Sequence, residues 1–161
     1  MELTRKQVME YNVVFNLLAG YEGKLRFHYI LRKNIESLKS EVSIVQSLQE
    51  KLSKVPYELQ EYEEKRKSIC EKYCLRKEDG TPKEENNNYC FTQENFIIIN
   101  TKIEELKEEY KSVLLKDKTE KEEFLEFLKE TVNVNLSKLK LEDMPLDQNI
   151  EQKYINTIFN N

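Results

Sequence analysis

The chain of 161 residues fits one domain, and 35% charged residues with only 3 Gly and 3 Pro favour long helices over sheets. The net charge of −4 excludes a strong overall attraction to nucleic acid. The odd number of cysteines, three, indicates a reducing cytosol rather than a disulfide scaffold.

Residues 1–23 contain the first predicted element, a short base helix over residues 4–18. Thr4 is the expected N-cap, because Gln7 follows it at the capping-box spacing. Gly20 and Gly23 then predict a turn. The early residues include acids and no recognisable signal peptide, and no segment approaches the ~18 uninterrupted apolar residues of a membrane span. We therefore expect no membrane contact.

Residues 24–74 form a predicted first arm, because apolar residues recur at alternating spacings of four and three, as in a coiled-coil seam. Pro56 interrupts this pattern. Two interpretations remain open: the helix ends there and another begins, or one long helix bends near residue 56. The seam residues are Leu31, Ile35, Leu38, Val42, Val45 and Leu52, followed by Leu59, Tyr62, Ile69 and Tyr73.

Residues 75–92 form a predicted tip, where the helical pattern stops. Asp79 and Gly80 are a turn signal, and Pro82 opposes continuation of the helix. The aromatic stretch 89–91 suits one strand of a small β-hairpin that pairs with residues 75–77, or else a loop. The tip is therefore expected to connect two helical arms.

Residues 93–130 form the predicted return arm. Thr92 is its expected N-cap, and a second capping box at Thr119 and Glu122 leaves open whether one helix or two, broken near residues 116–118, fill it. The seam residues are Phe96, Ile99, Ile103, Leu106, Tyr110 and Val113. Residues 131–161 then predict a base strand or extended segment, and a last short helix that Asp147 caps after Pro145.

These elements predict an all-α fold within a single domain, residues 1–161. The expected architecture is an elongated antiparallel helical hairpin, coiled-coil-like, whose arms are residues 24–74 and 93–130. The tip would lie at one end. Both termini, residues 1–23 and 131–161, would meet and pack at the base.

Candidate catalytic and metal-binding residues are scarce. Cys70 and Cys74 lie on one helical face and Cys90 returns near them in the predicted tip, but a zinc site normally has four ligands. His28, the sole histidine, lies at the far end of the predicted hairpin, which opposes a cysteine–histidine pair. We therefore predict no enzyme, no catalytic or metal-binding residue, no cofactor and no small-molecule substrate.

Two surfaces are candidates for partner contacts. The tip combines aromatic side chains with a turn, a composition common at protein interfaces, although the same residues can simply close the end of a hairpin. Its candidate residues are Tyr73, Asp79, Gly80, Pro82, Tyr89 and Phe91. The second surface is a basic–aromatic stretch that could contact phosphates, unless its basic residues only face water. Its candidate residues are Lys24, Arg26, Arg32 and Lys33.

The order of these features is similar to that of a family of small proteins from tailed bacteriophages and prophages. The central stretch EYEEKRKSICEKYCLRKEDGTPKEENNNYCFTQENF resembles that family's acidic helix, Lys-Asp and Gly-Pro-like turn and aromatic segment. KLRFHYILRKNIESL and LKLEDMPLDQNIEQKYINTIF resemble its upstream and downstream parts. Cys74 stands where the family pattern has alanine. The resemblance implies a phage origin and an accessory role, and it implies no particular reaction.

The leading hypothesis is thus a non-enzymatic phage protein that acts through protein–protein interaction. Within that class, we expect an oligomeric virion or assembly component, in the host cell cytoplasm or the virion. The main alternative is a host-directed inhibitor, an anti-defence protein that binds a host enzyme. A prefoldin-like holdase and a nucleic-acid-binding protein are weaker alternatives.

Overall fold

A computed structural model of the chain describes residues 1–145 and 150–159. The prediction of a mostly helical chain is confirmed, and the few short strands form small antiparallel pairs. The elements are β1 (Glu2–Thr4), α1 (Arg5–Leu18), α2 (Leu25–Ser53), α3 (Tyr57–Tyr73), β2 (Glu84–Glu85), β3 (Asn88–Tyr89), α4 (Gln93–Glu109), α5 (Lys111–Lys129), β4 (Thr131–Asn133), a 3-10 turn (Leu141–Asp143) and α6 (Gln152–Phe159).

The chain divides into two compact units. The first unit combines Met1–Leu52 with Glu122–Asn161, and the second is Ser53–Lys121. The single-domain prediction stays a prediction.

The first unit brings both ends of the described chain to one hydrophobic core. The expected capping box is confirmed, because the Thr4 hydroxyl accepts from the backbone N–H of Gln7 at 3.2 Å and the Gln7 side chain accepts from the Thr4 N–H at 2.8 Å. β1 pairs with β4 in antiparallel register, with Leu3 opposite Val132. The largest fully buried side chains of this core are Phe15, Leu18, Phe27, Leu31 and Leu38.

An extended segment, residues 134–140, follows β4 and crosses α2. The alternating pattern favoured a strand or an extended segment through this region, and Thr131–Asn133 is the part that pairs as a strand. Val134 and Leu139 are buried in the core. Asn34 of α2 holds the segment: it donates from Nδ2 to the Ser137 carbonyl at 3.0 Å and accepts from the Ser137 N–H at 2.7 Å. The cap expected at Asp147 lies outside the described residues.

The second unit settles the open question at Pro56. α2 ends at Ser53, and α3 begins at Tyr57 with Pro56 in the N-cap position, at φ −57° and ψ 149°. The proline therefore separates two helices and does not bend a continuous one. This position suits proline, because the first N–H groups of a helix have no intrahelical partner.

α3 and α4 pack side by side in opposite directions within the second unit. Near the end of α3, the Asn95 side chain donates to the Tyr73 carbonyl at 2.9 Å. At the other end of the pair, the rings of Tyr62 and Tyr110 lie 5.7 Å apart. Lys65 bridges the same two helices, since its ammonium group donates to the Tyr110 hydroxyl at 2.7 Å.

The return arm contains two helices, and neither of the two interpretations left open for it describes where they meet. The helical break lies at Tyr110, between α4 and α5, and not near residues 116–118. Thr119 and Glu122 consequently lie inside α5, where no cap is needed, because this stretch has no Gly or Pro to end the helix. Phe96, an expected seam residue, is exposed, whereas Ile99 is buried as predicted.

Candidate protein-contact site at the tip

The turn at residues 77–81 is built by its own side chains. The Asp79 carboxylate accepts from the Thr81 N–H at 2.9 Å and from the Thr81 hydroxyl at 2.6 Å. These hydrogen bonds from Thr81 lower the pKa of Asp79. Gly80 has a φ of +83°, in the left-handed region that glycine adopts without strain. Asp79 and Gly80 therefore have a structural role in the turn.

A second turn closes a two-stranded hairpin in the tip. β2 pairs with β3, with Glu84 opposite Tyr89, and the turn residues Asn86 and Asn87 have φ values of 51° and 62°. Two consecutive positive φ values are typical of the tight hairpin turn that asparagine and glycine favour. Tyr89 therefore lies in a hairpin, as one of the two interpretations proposed. The partner strand is Glu84–Glu85, however, and not residues 75–77.

The first segment of the tip still contacts the hairpin through its backbone. The Leu75 N–H donates to the Cys90 carbonyl at 2.7 Å, and the Lys83 N–H donates to the Leu75 carbonyl at 2.6 Å. Arg76 and Pro82 form an isolated antiparallel bridge. These contacts fix the hairpin against the end of α3. Pro82 thus belongs to the framework of the tip.

The aromatic residues of the tip lie over α3. The Tyr89 hydroxyl donates to the Glu71 carboxylate at 2.9 Å, and this hydrogen bond raises the pKa of Tyr89 to about 12. The ring of Phe91 lies 6.4 Å from that of Tyr89. Both side chains are half-buried, as is Tyr73 at the end of α3. Each of the three predicted aromatic residues thus keeps part of its ring accessible.

A groove of about 510 Å³ lies between α3 and the hairpin. Tyr89 and Phe91 line one side of it, and Cys70 lies on the α3 side. Burial raises the pKa of the Cys70 thiol, so the thiol stays protonated at neutral pH. Glu63, Glu64, Arg66, Lys67, Asn87 and Asn88 complete the lining. The groove thus offers an apolar wall with charged residues of both signs beside it.

The first two turns of α4 carry further exposed apolar residues. Phe96, Ile97 and Ile98 are all exposed, although they are large apolar residues. Sequence reasoning placed only Phe96, in the seam, and missed the two isoleucines. The signal was present, because residues one apart on a helix point about 100° apart, so three consecutive apolar residues cannot all face one seam.

The basic residues of the second candidate surface divide into two pairs. The Lys24 ammonium donates to the Glu142 carbonyl at 2.9 Å, and Arg26 Nε lies 3.5 Å from Asp143 Oδ2. These two side chains therefore contact the 3-10 turn of the same unit. Arg32 and Lys33 are exposed on α2.

Within residues 1–145 and 150–159, no group of three or more His, Cys, Asp or Glu residues could hold a metal ion. Cys70, Cys74 and Cys90 are free thiols. None of the helices described here is both long enough and apolar enough to cross a membrane.

The geometry thus defines a mostly helical protein of which one unit presents aromatic and apolar side chains on a hairpin and an adjoining helical turn. Compared with known protein families, with curated proteins and with solved structures, the chain matches none.

Proposed function

We propose that the protein acts through protein–protein interaction, without catalysis, and that the tip is its contact surface. The phage origin and the role as a virion or assembly component rest on the resemblance of the three quoted segments. The larger architecture, an elongated antiparallel hairpin of arms 24–74 and 93–130, is part of the same proposal. In it, the tip would be the part most accessible to a partner.

The observation that carries the proposal is the exposed apolar surface of the second unit. Phe91 is half-buried, and Phe96, Ile97 and Ile98 are exposed five to seven residues further along the chain, so the tip and the start of α4 together expose aromatic and aliphatic side chains. Exposed contiguous apolar surface is a mark of protein contact sites in soluble proteins. The backbone bonds of the tip hold this surface in place before binding, which reduces the entropy lost on association.

The experiment compares two variants with matched exposure. Ile97 is 62% exposed and Leu115 is 61% exposed, so the substitutions Ile97→Asp and Leu115→Asp should both fold. We expect the protein in purified virus particles by mass spectrometry, at a level that Ile97→Asp lowers at least tenfold while Leu115→Asp changes it little. Equal incorporation of both variants would refute a contact surface that includes the start of α4.

The main alternative predicts a different distribution. A host-directed inhibitor would be absent from particles and would instead co-purify with one host enzyme. In that case, Ile97→Asp should still abolish the association, because the contact surface is the same. Absence from particles together with a host complex that Ile97→Asp leaves intact would exclude both functions of the tip.

A further inference from the structure

We draw no further inference here: the strongest candidate, the exposed apolar patch of Phe96, Ile97 and Ile98 at the start of α4, belongs to the contact surface already proposed, and nothing in the structure shows which partner covers it.

Discussion

Replacing Asn34 by alanine should unfold the base of the first unit locally. Asn34 is 1% exposed, and its amide makes two hydrogen bonds with the backbone of Ser137. The substitution leaves the Ser137 N–H and carbonyl without these partners. Each unsatisfied group costs about 1–3 kcal/mol in a buried site, and alanine returns about 0.5 kcal/mol of helix propensity. Two such groups less the gain in propensity give a net loss of about 1.5–5.5 kcal/mol of the free energy of unfolding.

The assay is native-state hydrogen exchange, because it reports each unit separately. We expect the amide of Ser137 and those of its neighbours to exchange about a hundredfold faster or more in Asn34→Ala. Asn100→Ala is the control, since Asn100 is an exposed helical asparagine of α4. This variant should be neutral or slightly more stable. Unchanged exchange at Ser137, or a loss below about 0.5 kcal/mol, would refute the assigned role of Asn34.

Three further predictions concern the second unit. Leu106→Ala should cost about 2–4 kcal/mol in urea denaturation, because Leu106 is buried between α3 and α4. Asn87→Ala should destabilise the hairpin by about 1 kcal/mol and speed exchange of the Cys90 amide, whereas Asn87→Gly should not, because Asn87 has a positive φ. Glu71→Gln should lower the pKa of Tyr89 from about 12 in an ultraviolet titration. The raised pKa of Tyr89 means that its stabilising contribution is complete below pH of about 10 and is lost as pH rises toward about 12.

Apolar spacing was a good guide where helices pack against one another. Leu38, Val45 and Leu59 are buried as the seam predicts, because a helix can bury only one face and the spacing identifies it. The same rule failed at Phe96, where the exposed run continues through Ile98. The spacing of apolar residues identifies which side of a helix is buried over its whole length. It does not identify the turn at which the helix packed against that side ends.

Local backbone chemistry was harder to foresee in the tip. The three consecutive asparagines indicated only a polar segment, and the sequence did not show that two of them would adopt positive φ values. Asn86 and Asn87 supply two consecutive positive φ values, and this turn directs β3 back onto β2. The contact between Asn34 and Ser137 could not be found either, because it joins residues 103 apart. Sequence spacing contains no information about such a pair.

At the start of α2, the four residues of the basic stretch lie in two different surroundings. Its first turn has no acidic residue, although carboxylates stabilise the positive end of a helix dipole. The 3-10 turn supplies that charge from a distant part of the chain, since Asp143 is buried and forms an ion pair with Arg26. A polyanion that recruited Lys24 and Arg26 would have to compete with their contacts to Glu142 and Asp143. Arg32 and Lys33 are exposed on α2 without such contacts in the described part of the chain, and two cations are too few for strong phosphate binding, which takes about six to ten.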